Sequence, residues 1–273
     1  MTISLASLPA APDAPNEDFT AASPGVAVLL DGAGVAGGQT GCKHGVAWFS
    51  STLGGVLLGT IVVQPALSLA ECLGQAIRTV CSLHDGDCDL SHPASPTSTV
   101  VAARTRAGVL EYLVLGDSAL LMAGSDGTVD VVTDRRLDEV GKQLRGSVDE
   151  LPTGSPEHAD ALADYRDALT RLRNRPEGFW IAGPDPEAAQ HALTGSVPLD
   201  SLASVVLMSD GATRLVDRFE LATWGELFAL VTTPGPGEVI RRVRDAEADD
   251  PDGQCWPRGK AQDDATILHW VLP

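Results

Sequence analysis

Residues 99–133 read TVVAARTRAGVLEYLVLGDSALLMAGSDGTVDVVT. Four short apolar segments, Thr99 to Thr105, Val109 to Leu115, Ala119 to Ala123 and Val129 to Thr133, are separated by turn residues such as Arg106-Ala107-Gly108 and Ser125-Asp126-Gly127. This spacing predicts a β-meander, whose connections are too short for parallel pairing. A chain with strands in runs and helices in pairs belongs to the α+β class rather than to regular β-α alternation.

Upstream, Val26 to Leu30 is an apolar run ending at Asp31-Gly32 and reads as a buried strand, followed by a glycine-rich turn (Gly32, Gly34, Gly37, Gly38, Gly41). His44 to Val63 and Ala66 to Leu83 carry helix-length apolar patterns divided near Pro65, which predicts two packed helices. Downstream, residues 134–176 are charged and read as helical, with Arg166, Arg171, Arg173 and Arg175 along the second half. Trp180 to Ala182 is expected to be a strand, Pro186 to Leu193 a short helix, and Ser204 to Met208 an apolar strand ending at Ser209-Asp210-Gly211. Two helices, Leu221 to Val231 and Gly237 to Ala248, an acidic loop from Asp249 to Gly259 and a last strand, Ala265 to Leu272, complete the pattern. Residues 1–15, rich in Ala and Pro, are expected to form a flexible leader, and 16–273 a single mixed domain.

With 273 residues the chain can bury one large core or two small ones. Its 19 Lys+Arg against 37 Asp+Glu leave a formal charge of −18, and the absence of basic runs argues against nucleic acid as a partner. Metal cations suit such a chain better. Five cysteines (Cys42, Cys72, Cys81, Cys88, Cys255) are odd in number and form no C-x-x-C pair, so neither a disulfide framework nor a zinc ribbon is signalled. The six histidines (His44, His84, His92, His158, His191, His269) are scattered without metal-ligand spacing and read as structural. Met1 to Pro15 lacks Lys and Arg, and the longest apolar run, Gly54 to Val63, falls short of the ~20 residues of a membrane helix. A soluble cytoplasmic protein without a membrane partner is the expectation.

Acidic groups stand at three strand boundaries: Asp31 after Val26 to Leu30, Asp210 after Ser204 to Met208, and Asp263 before Ala265 to Leu272. Glu17 and Asp18 precede the first strand. Strand ends are rigid platforms, so these carboxylates converge if their strands are neighbours. Two bare charges about 4 Å apart repel by about 4 kcal/mol at an effective dielectric of 20. Hard divalent cations remove that cost, and all-oxygen donors suit Mg²⁺ or Mn²⁺ rather than zinc. Taken singly, each Asp-Gly is an ordinary turn; the set is informative where its members are not.

Five motifs in order, Asn16-Glu17-Asp18, Leu30-Asp31-Gly32-x-Gly34, Leu115-Gly116-Asp117-Ser118, Met208-Ser209-Asp210-Gly211 and Asp263-Asp264-Ala265-Thr266, resemble the metal-dependent type 2C protein phosphatases of bacterial type. The resemblance spans nearly the whole chain. It implies a four-layer α-β-β-α sandwich, two central antiparallel sheets flanked by helix pairs, with two divalent cations, Mn²⁺ or Mg²⁺, at one end. It also implies hydrolysis of phosphoserine and phosphothreonine in phosphorylated protein substrates. Carried over, Asp31 would bridge both metals, the Gly32 carbonyl would bind the second, and Asp210 and Asp263 would hold the first. These groups would act catalytically through metal-bound water, with Glu17 and Asp18 positioning waters. No covalent phosphoenzyme is needed.

The chain departs from the family pattern at four places. An arginine that clamps substrate phosphate is replaced by Asp13, a histidine found in some relatives by Ala33, and the second glycine of the turn by Val35. Where relatives carry another aspartate that completes a third metal site with the one in the GDS motif, this chain has Arg214. Its guanidinium is expected either to point at Asp117 as a fixed charge and phosphate donor or to be solvated on a loop. The resemblance places a variable flap at about 136–178, beside the active site. Two alternatives stay open: a catalytically impaired module that binds a phosphorylated partner, and a small-metabolite phosphatase. Gly32-x-Gly34-x-x-Gly37 matches a dinucleotide fingerprint but lacks a downstream acid and a parallel context, and Asp126-Gly127-Thr128 reads as a hairpin turn.

Overall fold

Val26–Leu30 shows no polar alternation because both of its faces are covered: Val26, Val28 and Leu30 pack under helices, while Ala27 and Leu29 face a second sheet. The computed structural model describes residues 2–34, 41–84, 86 and 88–273. In chain order the strands are β1 Thr2–Leu8, β2 Phe19–Ser23, β3 Val26–Leu30, β4 Gly32–Ala33, β5 Thr97–Ser98, β6 Val100–Arg106, β7 Val109–Leu115, β8 Ala119–Gly124, β9 Val129–Thr133, β10 Leu193–Pro198, β11 Leu202–Met208 and β12 Ala265–Val271. The helices are α1 Val46–Val63, α2 Leu69–Ser82, α3 Arg136–Leu144, α4 Gly146–Asp149, α5 Pro156–Leu172, α6 Asp210–Asp217, α7 Trp224–Thr232 and α8 Pro236–Asp249.

Two five-stranded antiparallel sheets, β1-β12-β11-β8-β9 and β10-β7-β6-β3-β2, lie face to face. Leu29, Val101 and Val114 of one meet Leu120, Leu207 and Leu268 of the other. On the outside, α1 and α2 cover the second sheet through Phe49, Leu53, Leu57, Leu73 and Ile77. The first sheet is covered by α6, α7 and α8 through Leu215, Leu227, Val239 and Val243. The result is the expected α-β-β-α sandwich, and three apolar layers separate its four tiers. A capping box, Ser68 with Glu71, starts α2, and Thr223 with Glu226 starts α7.

Three expectations are corrected. Residues 2–8 are not a loose leader: they form edge strand β1, registered on β12 from Thr2↔Val271 to Leu8↔Ala265, with Ile3 between the sheets and Ala6 under the helices. Trp180 to Ala182 is not a strand; Ala182 makes an isolated bridge to Ser98. The apolar run of α1 begins at Val46, so the helix is long and apolar enough to cross a bilayer by length and composition. Its buried face packs onto the sheet, as a core helix does. The 136–178 region holds α3, α4 and α5, and α5 docks where His158 Nε2 lies 3.2 Å from the Arg258 carbonyl oxygen.

Candidate metal centre

The register of the sheets brings the acidic motifs to one rim. Phe19↔Leu30 places the start of β2 beside the end of β3, and Val100↔Leu115 places the end of β7 at the start of β6, next to β3. In the other sheet Met208 pairs with both Ala119 and Ile267, so the end of β11 lies between the starts of β8 and β12. Gly116-Asp117-Ser118 crosses from β7 to β8 and thus from sheet to sheet. Antiparallel neighbours alternate in direction, so Asp18, Asp31, Asp117, Asp210 and Asp263, remote in sequence, share this edge.

Asp31 is held by its backbone. Its carbonyl oxygen accepts from Thr99 N at 2.8 Å and Ser98 Oγ at 2.9 Å. Asp210 N–H, at the start of α6, points at Asp31 Oδ2 across 3.4 Å, so the helix N-terminus faces a carboxylate. The two glycines that follow these acids serve close approach. A Cβ on Gly32 would fall 2.6 Å from the Glu17 carbonyl oxygen, and one on Gly211 would fall 1.9 Å from that of Asp264. These Asp-Gly pairs are therefore packing points where strand β4 and helix α6 begin, not the ordinary turns their sequence allows.

Burial, then the neighbouring carboxylates, raises Asp31 well above the usual carboxylate range and also raises Asp210. Burial holds Asp18 at about 7 and Asp117 at about 8, and raises Glu17. Asp18 Oδ1 and Oδ2 are buried and accept no hydrogen bond among the described residues. The Ser209 and Thr266 hydroxyls beside it lower its pKa, but burial outweighs them; Ser209 Oγ also accepts from Thr266 N at 2.9 Å, and Thr266 Oγ1 pairs with Ser7 Oγ at 2.7 Å. A buried carboxylate among others, with no cationic side chain on it, is the donor chemistry a hard divalent cation satisfies, so these residues fit the two-cation expectation.

Arg214 corrects both sequence expectations. It is buried on α6, with Nη1 donating to Glu247 Oε1 at 2.7 Å and Nη2 to Asp263 Oδ2 at 2.8 Å, and no Arg214 ion pair with Asp117 exists among the described residues. Helix geometry explains this: four residues past Asp210, its side chain projects toward α8, which carries Glu247. Glu247 also takes Arg244 Nη1 at 2.7 Å. Removing Arg214 leaves Glu247 with one partner and strips a cation from Asp263. Arg214→Ala is therefore expected to cost about 3 kcal/mol in urea unfolding, with Arg214→Lys recovering part of it.

Sequence reasoning gave no role to Lys260 and Asp264. Half-exposed at the rim, Lys260 donates from Nζ to Asp263 Oδ1 at 2.7 Å. Burial lowers its pKa, but Asp263, Asp210 and Asp31 outweigh that and raise it. It sits on a loop made rigid by Asp250, which accepts from Gln254, Cys255 and Trp256 N–H and from Arg258. Asp264 accepts from Ala10 N and Glu17 N, both at 2.7 Å, and so draws Glu17 to the rim. The Asp263-Asp264 motif was visible in the sequence, but its division of labour depends on where the N-terminal segment folds back. Asp13 is exposed, Ala33 lies in β4, and Val35, Gly37 and Gly38 lie outside the described residues.

The family model described as Protein phosphatase 2C matches residues 10–239. No curated protein matches the chain by sequence. Among solved structures, the PPM Ser-Thr phosphatase MsPP from Mycobacterium smegmatis, in complex with cacodylate, is similar over 100% of this chain and 99% of its own, at 19% identity and a TM-score of 0.58. PppA of Pseudomonas aeruginosa, a regulatory component of T6SS, matches over 100% and 97% at 18% identity and TM-score 0.57. The catalytic domain of the serine threonine protein phosphatase PstP, in complex with 2 manganese ions, matches over 100% and 98% at 15% identity and TM-score 0.55.

Proposed function

Because the chain belongs to the protein phosphatase 2C family, we propose that it hydrolyses phosphoserine and phosphothreonine in protein substrates with two divalent cations, Mn²⁺ or Mg²⁺, at the acidic rim. The observation that carries this reading is the Asp18 carboxylate, buried beside Asp31 and Asp210 with only neighbouring hydroxyls to face it. Such a cluster is stable when ionised only if cations balance it. A structural relative with two manganese ions supports the same reading.

Asp31, the Gly32 carbonyl, Asp210 and Asp263 would hold the cations. Bound there, these supply Lewis acidity, making water a nucleophile near neutral pH and offsetting charge on the entering and leaving oxygens. The chain's own groups do the rest. Thr99 and Ser98 fix the Asp31 backbone, and the Asp210 N–H orients its carboxylate. Lys260, half-exposed beside Asp263, draws a phosphate dianion to the rim in a chain whose position 13 is an aspartate. Ala33 donates no proton, so the leaving alkoxide takes one from solvent. A reducing, cytoplasmic setting is part of the same proposal, motivated by an odd cysteine count without a C-x-x-C pair.

The test is phosphate release from phosphothreonine and phosphoserine peptides in Mn²⁺, in Mg²⁺ and in EDTA. Release confined to the metal-containing samples, and at least about tenfold faster than from small phosphorylated metabolites, is expected; the reverse preference would establish the metabolite phosphatase. A second reading rests on Arg214 and Lys260, which both occupy Asp263 and compete with a cation for its oxygens. Peptide binding without metal-dependent release would establish that non-catalytic module and overturn the enzyme.

A further inference from the structure

Apart from the acidic set, Cys42, His44, His84 and Cys88 bring four ligand atoms within 4.8 Å of one another. The geometry points to a structural zinc site formed by these four side chains. It does not depend on the phosphatase reading, because none of its ligands belongs to the acidic centre.

His44 Nδ1 lies 3.6 Å from Cys42 Sγ and 3.6 Å from Cys88 Sγ. Zn–S bonds of about 2.3 Å and Zn–N bonds of about 2.0–2.1 Å, meeting at a tetrahedral angle, separate sulfur from nitrogen by about 3.6 Å. Hydrogen bonding alone fits less well, since one ring nitrogen holds one lone pair and two sulfurs sit at the same distance from it. His84 is buried, and its Nδ1 lies 2.9 Å from the Val80 carbonyl oxygen. Nδ1 therefore carries the proton, and Nε2 is the nitrogen with a lone pair, as in zinc-binding histidines oriented by a backbone acceptor. Lys43 N–H donates to Cys88 Sγ at 3.4 Å, which orients the sulfur. The Trp48 ring stacks on His44 at 4.2 Å and meets His84 edge-on at 5.0 Å, walling one side.

Two thiolates and two imidazoles make a closed tetrahedral set of the kind that selects zinc over the hard cations suited to the rim. The placement gives it a structural task. Cys42 and His44 precede α1, whereas His84 and Cys88 follow α2, so one ion would tie the start of one helix to the end of its partner. The α1 N-terminus has no side-chain cap of its own. One residue past Gly45, Val46 lies where Cβ atoms on Gly32 and Gly34 would strike its side chain, at 2.6 and 2.3 Å. The staple thus holds the helix end against which the strand after Asp31 is packed. Sequence reading passed over it because the ligands come as C-x-H and H-x-x-x-C, far apart in the chain, rather than as C-x-x-C.

The test is metal analysis of the full chain, expressed with zinc present and purified under reducing conditions without chelator. One zinc per chain is expected, released stoichiometrically when a mercurial modifies the thiols. The same chain loaded with Co²⁺ is expected to show the intense visible bands of tetrahedral cobalt and a thiolate-to-cobalt charge-transfer band. Cys88→Ser and His84→Ala should lose the zinc at least tenfold, and Asp210→Asn should keep it. Folded wild-type protein that retains under about a tenth of an equivalent of zinc and gives no cobalt–thiolate band would overturn the proposal, whatever the variants do. So would isolation of Cys42 and Cys88 as a disulfide from that preparation, or full zinc retention by Cys88→Ser.

Discussion

Asp210→Asn is expected to lower kcat/KM by about 10²–10³-fold while raising the melting temperature of the metal-free protein. The two effects have one cause. Asp210 is forced toward the neutral form by burial first and by Asp263 next, so without cations its charge works against the fold. An amide removes that repulsion yet cannot supply the anionic oxygen a divalent cation needs. Stability gained in EDTA and catalysis lost in Mn²⁺ would mark a site where function is maintained against the fold's preference. The Mn²⁺-induced rise in melting temperature expected of wild type should shrink in the variant, because the stabilisation a ligand supplies falls as its affinity falls. Measurement requires thermal melts and steady-state kinetics of both proteins with and without metal. Activity within tenfold of wild type, or a lower melting temperature in EDTA, would remove Asp210 from the centre.

The second large effect is a pH dependence that metal reverses. Asp18 is held at about 7 and Asp117 at about 8, with Asp31, Asp210 and Glu17 also raised, burial being the first cause in each. These groups bind protons more tightly in the folded chain than in the unfolded one, where carboxyls titrate near ~4. Their stabilisation is therefore complete below about pH 4 and is lost as pH rises through about 7 and 8. Each carboxyl protonated only in the folded state contributes a slope of about −1.4 kcal/mol per pH unit. His269, lowered by burial, opposes this trend but is a single group, and Glu238, held at about 2 by Arg241 and Arg242, acts below the window. In EDTA, urea unfolding should show the protein several kcal/mol more stable at pH 5.5 than at 8.5. In saturating Mn²⁺ the stabilisation by metal should grow with pH, since the ligands must shed protons to bind. Greater stability at pH 8.5 in EDTA would show that the carboxylates are not confined together.

The acidic motifs were legible because each sits where an apolar strand ends, and strands buried on both faces announce themselves. Val26–Leu30 was read to the residue for that reason, and the meander, its edge strand β9 included, by the short turns that punctuate it. The strands that escaped were β1, β2 and β10, at the edges of the two large sheets, and the two-residue pair β4 and β5. An edge strand is covered on fewer sides, so Thr2–Leu8 leaves Leu5 and Leu8 exposed and carries no continuous apolar run. The N-terminal segment consequently passed for a leader, although it pairs with the last strand and its continuation is pinned by Asp264. Arg214 was legible as a departure but not as a contact, because its partners, Glu247 and Asp263, lie on elements that meet α6 only in three dimensions.

By itself the sequence determined the α+β class, the buried strands and the identity of the acids at their ends, since hydrophobic periodicity and local turn chemistry are written residue by residue; the sandwich followed only from the likeness of its motifs to a known family. Tertiary structure alone decided which charges face one another. It set Lys260 and Arg214 on Asp263, buried Asp18 among other carboxyls, and gathered two cysteines and two histidines from the ends of two helices. Such encounters depend on register and packing across the fold, and electrostatic and metal-binding energies fall off over a few ångströms of space whatever the distance along the chain.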